Sequence, residues 1–373
     1  MNRWQQLRHA LAQGANPAQA VDSSAPPLGS ISQALTDLED ARAAQAGSDR
    51  DLLQLLATPG VSDVLVNDTQ VWVDRGRGVE PVEWGFASSQ QVRDLAVRMA
   101  AAAGARLDEA APMVDATLPD GTRLHAALSP PALHGPVISL RTARRQVFTV
   151  AQLRANGCLD ERSEELIRAL VRARANVVIS GATGSGKTTV LSAILSLCDP
   201  SQRLLCLEDV PELRPQHPHV VTLTTRAANV QGQGQITLVD LLRAAMRMRP
   251  DRIVLGECRG AEVREVLSAF NTGHEGGWVT LHANSAVDVP ARLVALGALA
   301  GMSESTVHAQ ALSALDAVIH LHRDAAGRRQ VAQIAVFDNG LPLQVVPAWE
   351  RGRPGAGASQ LESFLKERGA SVV

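Results

Sequence analysis

Gly181, Ala182, Thr183, Gly184, Ser185, Gly186, Lys187 and Thr188 stand in the order G-x-x-x-x-G-K-[ST], with Thr189 next in line. Glycines spaced this way let a backbone curl until successive N–H groups face inward onto phosphate oxygens. A helix starting at the lysine turns its positive dipole end to the same anion. Lys187 then brings an ammonium to the β/γ-phosphates, and the Thr188 hydroxyl is a hard oxygen donor for Mg2+. The competing possibility is an accidental Gly-rich turn, but an apolar run (176–181) precedes the segment and a helical pattern follows it. Lys187 is one of two lysines in a chain with 34 arginines, the other being Lys366 in a polar C-terminal stretch. Where Arg is used wherever either cation serves, a retained Lys marks a site that needs a compact ammonium.

Acidic groups follow at the ends of apolar runs. Residues 251–257 end in Glu257, and residues 204–209 end in Glu208 and Asp209. In open α/β sheets ligands lie at the carboxyl edge of the strands, where these carboxylates are delivered. Glu257 is a candidate for holding Mg2+, directly or through water. Glu208 is a candidate for orienting or deprotonating an attacking water. The assignment of base between the two stays open at this level. A lone strand-end carboxylate is more often a solvated turn residue; two of them downstream of a phosphate loop reverse that balance. His274 and His282 flank a Gly turn, a spacing that taken alone is structural more often than metal-binding. The pairs His217/His219 and His320/His322 sit at i, i+2 near apolar runs and read as solvated strand faces. Arg243 and Arg247 are four apart on one helical face, within reach of a phosphate or a neighbouring subunit.

The chain that must position these groups has 373 residues, for which ~150 residues per domain predicts two to three domains. With 45% hydrophobic and 20% charged residues it can bury sizeable cores. The 36 basic and 38 acidic side chains nearly cancel, and aromatics make up only 3%, which argues against a bulk nucleic-acid coat or a base-stacking platform. The four cysteines, at 158, 198, 206 and 258, show no C-x-x-C spacing and fit a reducing compartment. The most apolar stretch, 293–302, is far short of the ~20 residues of a membrane span. Residues 1–50 read as a polar, flexible arm with a short helix at 31–44. Residues 51–141 mix helices with short strands and turn signals at Asn67-Asp68 and Asp120-Gly121, giving a small α+β domain. Residues 142–150 read as linker, and 151–340 alternate strongly apolar strands with helices, predicting a mostly parallel sheet covered on both faces. Residues 341–373 are rich in Gly, Pro and charge and are expected to be a loose tail.

No Asn-Lys-x-Asp guanine reader and no Leu-Ser-Gly-Gly-Gln segment occur, which disfavours Ras-like GTPases and ATP-binding-cassette transporters. Four ordered motifs instead resemble the ATPases of type II/IV secretion and type IV pili, especially the CpaF/TadA branch of the Flp/tight-adherence pilus. They are the phosphate loop GATGSGKTT (181–189), an Asp box LEDVPEL (207–213), a Walker B variant RMRPDRIVLGECRG (247–260) and a His box NTGHEGGWVTLHANS (271–285). Cys258 and Trp278 stand where the resemblance leads us to expect a valine and a smaller residue. The resemblance implies a RecA-like P-loop NTPase core preceded by a PAS-like domain, with ATP and Mg2+ as cofactors. It implies that His274 and His282 sense the γ-phosphate and that Arg123 and Arg141 reach the nucleotide; Arg247 is a further candidate ligand on its helical position alone. It also implies a cytoplasmic homo-hexamer acting on an integral-membrane platform of a Tad-type pilus or secretion apparatus, with no direct nucleic acid. The rival expectations are a RecA-like DNA translocase associated with conjugation, and a nucleotide-gated scaffold with little turnover.

Overall fold

The computed structural model describes residues 49–372 apart from 76–77, 143–146, 227, 229–232, 325, 339 and 341. Residues 1–48 of the expected N-terminal arm, with its helix at 31–44, and residues 143–146 of the expected linker lie outside the described residues. The chain divides into two compact units, Met1–Arg145 and Gln146–Val373.

The first unit opens with helix α1 (Arg50–Ala57), whose N-cap Asp49 accepts a bond from the Asp51 amide. Strands β1 (Asp63–Asn67) and β2 (Gln70–Asp74) form the hairpin signalled by Asn67-Asp68, with Asp68 at φ 52°. β3 (Val79–Gly85), helix α2 (Ser89–Ala102), β4 (Met113–Thr117), β5 (Arg123–Ala127) and β6 (Val137–Arg141) complete it. The six strands form one antiparallel sheet in the order β3-β2-β1-β6-β5-β4. Alternation along β1 and β6 sends Val64, Val66, Ile138 and Leu140 inward, where they share a core with Val92, Leu95 and Met99 of α2. The same register lines up Asp63, Arg141 and Arg123 in a row across β1, β6 and β5.

The second unit is built on a nine-stranded sheet ordered β15-β14-β13-β12-β7-β11-β10-β8-β9. Its strands are β7 (Val177–Gly181), β8 (Leu204–Glu208), β9 (Val220–Thr224), β10 (Arg252–Cys258), β11 (Trp278–Leu281), β12 (Ala317–Arg323), β13 (Arg329–Asp338), β14 (Gln344–Glu350) and β15 (Arg353–Pro354). The run from β12 to β9 is parallel throughout, so the ends of β7, β8, β10 and β11 emerge at one carboxyl edge. Every residue of β7, β8 and β11 is buried, as strands covered on both faces require. Helices α3 (Val150–Ala155), α4 (Glu161–Arg172), α5 (Lys187–Leu195), α6 (Leu238–Ala245), α7 (Val263–Asn271), α8 (Val289–Leu299) and α9 (Glu304–Ala314) supply the cover, through one core on each face. Trp278, unexpected in the His box, fills one core and is fully buried.

Two expectations about boundaries are corrected. Val150, placed in a linker, starts helix α3, whose N-cap Thr149 forms a capping box with Gln152. Residues 341–373 are not a loose tail. β14 pairs antiparallel with β13, and helix α10 (Ala358–Glu367) sends Leu361 and Leu365 into the core that also holds Trp349 and Ala370. Gly and Pro there shape tight turns, as at Gly355, where a Cβ would lie 2.1 Å from the Pro347 carbonyl oxygen.

Candidate nucleotide site

The site starts where β7 ends. Gly181, Gly184 and Gly186 adopt φ of 151°, 73° and 99°, which side-chain-bearing residues rarely take, and so turn the chain sharply into α5. A Cβ on Gly181 would lie 2.5 Å from the Leu321 carbonyl oxygen and 2.6 Å from Ser185 Oγ. Gly186 caps α5 without a side-chain bond, leaving the first-turn amides of the helix to an external acceptor. Ser185 Oγ is buried without a hydrogen-bond partner among the described residues. Ala182, Thr183 and Gly184 are exposed, and Thr188 and Thr189 are half-buried on the first turn of α5. The arrangement is a concave ring of N–H donors around a helix N-terminus.

Lys187 is buried, and its Nζ donates to the carbonyls of Gly181 at 2.8 Å and Ala182 at 3.0 Å. Burial pulls this amine below its ordinary range, while nearby Glu257 works in the opposite direction. A polar chain runs on from it along the carboxyl edge. His282 Nδ1 lies 3.5 Å from Lys187 Nζ, and His282 Nε2 lies 2.5 Å from Glu257 Oε1. The other Glu257 oxygen, Oε2, accepts from the Arg259 guanidinium. Burial and then the Lys187 charge hold His282 below its ordinary 6.5, and Glu257 Oε1, though close to Nε2, has no hydrogen-bond partner among the described residues. The bond to Glu257 raises the pKa of Arg259.

Glu208 is brought to the same edge and is buried. Its Oε1 accepts from the amides of Glu212 and Leu213, both at 3.0 Å, and so fastens the turn of the Asp box. Gly256 is glycine because Glu208 packs on it: a Cβ there would lie 2.8 Å from Glu208 Cγ. Cys258 is buried, and the turn after it is capped by Glu262 Oε1, which accepts from the Arg259 and Gly260 amides at 2.6 and 2.8 Å.

Other candidates do not meet there. β11 lies between His274 and His282, paired in parallel with β7 from Trp278↔Val177 to Leu281↔Ser180. His282 therefore emerges beside Gly181, whereas His274 precedes the strand at the opposite, amino edge. His274 Nδ1 turns back onto the Ala269 carbonyl at 3.2 Å, at the end of α7. The pair expected to act together on a phosphate is split by the length of a strand. Arg247 lies in the turn leading into the amino end of β10, and its Nε donates to the Arg243 carbonyl at 3.2 Å. Arg243 pairs with Glu265 at 2.8 Å. Within this chain neither arginine bonds the phosphate loop among the described residues. In the first unit Arg141 Nε donates to Asp63 Oδ1 at 2.8 Å, and Arg123 is its register partner on β5.

Of the histidine pairs, His217 and His219 stay near the surface, bonding the Asp199 carbonyl and Arg203. His320 departs from the expected solvated face. β12 is buried on both faces from Ala317 to Leu321 and exposed only at its end, which leaves His320 buried and His322 exposed. His320 Nδ1 lies 2.9 Å from Ser180 Oγ in the strand that enters the phosphate loop. Arg329 also went unnoticed in the sequence: its Nε donates to the Gly184 carbonyl at 2.8 Å, across 145 residues. Arg259 was legible in principle, because two residues after Glu257 it follows the same strand end.

The oxygen donors present suit magnesium. Thr188 and Glu257 offer hard oxygens, and no cluster of three or more His, Cys, Asp or Glu side chains forms a protein cage for a metal among the described residues. That is the pattern of an ion carried largely by nucleotide phosphates and water.

Sheet order, glycine-formed loop and acidic carboxyl edge define a RecA-like P-loop nucleotide-binding protein. The chain belongs to the Type II/IV secretion system protein family, which matches residues 45–341. It is 45% identical over 326 residues to a putative conjugal transfer protein of Mycobacterium tuberculosis, covering 85% of this chain and 93% of that protein. It is 31% identical over 287 residues to a probable conjugal transfer protein, TrbB, of Sinorhizobium fredii, covering 75% and 85%. Its fold is shared with the Legionella pneumophila ATPase DotB (TM-score 0.55, 22% identity, covering 78% of this chain and 80% of that one). The pilus retraction motor PilT with bound ADP shares it too (TM-score 0.55, 20% identity, covering 85% and 87%).

Proposed function

We propose that this chain is an ATP-hydrolysing motor subunit of a secretion or pilus-assembly apparatus, of the CpaF/TadA branch. The observation that carries this reading is the chain of contacts from the phosphate loop through Lys187 and His282 to Glu257. It sets a phosphate-binding ammonium and a carboxylate on either side of one imidazole. The loop amides and Lys187 bind the triphosphate. Bound Mg2+, held by Thr188 and by Glu257 directly or through water, supplies charge neutralisation at the phosphates. Glu257, beside His282 and Arg259, orients the attacking water and accepts its proton. Glu208, with one oxygen committed to loop amides, fastens the Asp box beside it. The family resemblance is the support for taking Arg123 and Arg141 as triphosphate ligands. Six copies form a ring that works at the cytoplasmic face of a membrane through an integral-membrane platform; no helix among the described residues is long and apolar enough to cross a membrane.

Lys187→Ala should abolish ATP binding in an equilibrium assay with a fluorescent ATP analogue and Mg2+. Retained tight binding would remove the phosphate-loop assignment and the ATPase reading with it. A second reading, a DNA-translocating conjugation ATPase, is supported by the names of the relatives from M. tuberculosis and S. fredii. ATPase activity stimulated by DNA, with a steep salt dependence, would favour it over a pilus motor.

A further inference from the structure

Glu257 has one buried oxygen, Oε1, which has no hydrogen-bond partner among the described residues. Oε1 faces His282 Nε2 at 2.5 Å, and Oε2 is taken by the Arg259 guanidinium. A cation or its water that uses Oε2 competes with Arg259 there, because the guanidinium and the cation repel each other at such short range. Glu208 is a buried side chain whose Oε1 is held by two backbone amides.

Arg259 is built to leave. Its backbone is pinned, with its amide donating to Glu262 Oε1 at 2.6 Å, so the side chain can swing without disturbing the strand end. The side chain is 56% exposed, whereas that of Glu257 is 18% exposed. Further acidic partners are near: the fields of Asp209 and Glu212 both reach the guanidinium. A released Arg259 thus exchanges one carboxylate for others at the same edge instead of being stranded.

We propose that Arg259 is a competing cation for Glu257, so that entry of Mg2+-nucleotide requires it to move off that carboxylate, and its grip sets how much Mg2+ the site demands. This rests on the nucleotide site proposed above and adds to it a residue that positions Glu257. A magnesium-requiring step is thereby coupled to release of an arginine toward the Asp box, where Asp209 and Glu212 lie.

The test is a Mg2+ titration of binding of a fluorescent, non-hydrolysable ATP analogue, read at equilibrium without turnover. Arg259→Gln removes the competitor, and the Mg2+ concentration at half-saturation should fall about fivefold, the scale of a partly exposed ion pair. In a Glu257→Gln background the same substitution should leave the midpoint unmoved, because the contested carboxylate is gone. Arg259→Lys, which keeps a cation in place, should stay within about twofold of the unmodified chain. Arg259→Met carries the same expectation as Gln should Arg259→Gln fail to fold. A midpoint that is unchanged or raised in Arg259→Gln overturns the proposal, as does a shift that persists without the Glu257 charge or an equal drop in Arg259→Lys. If the unmodified chain binds no analogue at any Mg2+ level, the nucleotide reading itself fails; binding with an unmoved midpoint sinks only the role of Arg259.

Discussion

Glu257 and His320 show how two polar side chains near one loop come to different duties. Glu257 stands at a strand end with Arg259 donating to it, and an amide in its place removes the proton acceptor while preserving shape. Glu257→Gln should lower phosphate release by about 10²- to 10³-fold while leaving ATP affinity within a few-fold. Parallel losses in rate and affinity would show that Glu257 serves binding only. His320 is buried behind the loop, bonded to Ser180, and burial holds it below its ordinary 6.5. The folded state therefore binds this proton less readily than the unfolded chain does. Its contribution to stability is fully present above the ordinary value and is lost as pH falls through that value toward the depressed one. Melting curves at pH 7.5 and 5.5 (roughly one unit either side of the ordinary histidine value) should show a smaller acid-side loss for His320→Asn than for the unmodified chain. An unchanged difference would remove His320 from the acid response.

Elements remote in sequence complete the loop. β13 brings Arg329 onto the Gly184 carbonyl, and Gly186 leaves the room, since a Cβ there would lie 3.2 Å from Arg329 Cδ. The bond braces the turn in the curvature that aims its amides inward. Loss of one such bond, at about 1 kcal/mol, predicts that Arg329→Ala weakens ATP binding by roughly 5-fold. Fluorescence titration against the unmodified chain measures this, and an equal affinity would make the bond incidental. β14 and α10 extend the same sheet and core, so the phosphate loop rests on a domain that continues to Ala370.

At the scale of the whole molecule, two units with separate cores carry the candidate residues. Arg141 and Arg123 belong to the first, where Asp63 holds Arg141. An arginine whose contact with the triphosphate strengthens in the transition state contributes to turnover more than to initial binding. Arg141→Ala should therefore cut kcat by at least 10-fold with Kd for ATP changed less than about 3-fold. An unchanged kcat would leave Arg141 a surface partner of Asp63.

The sequence by itself determined what depends on neighbouring residues. The glycines of 181–186 dictate left-handed backbone, and Lys187 and Thr188 follow them onto a helix whatever surrounds it. Apolar runs ending in Glu208 and Glu257 likewise sent both carboxylates to one edge, because parallel strands share a direction. The short run at 278–281 already held the reason that His274 and His282 part, since a buried strand of four residues carries its two flanks to opposite edges. Only the tertiary structure decided which strand lies beside which. The placing of β12 and β13 against β7 set His320 on Ser180 and Arg329 on Gly184, contacts across 140 and 145 residues. It also converted Leu361 and Leu365 from apolar residues in a polar C-terminal stretch into core. Local backbone sterics act within a few residues and leave their mark in the letters. Contacts between distant strands depend on how whole elements bury one another, which no short stretch of sequence encodes.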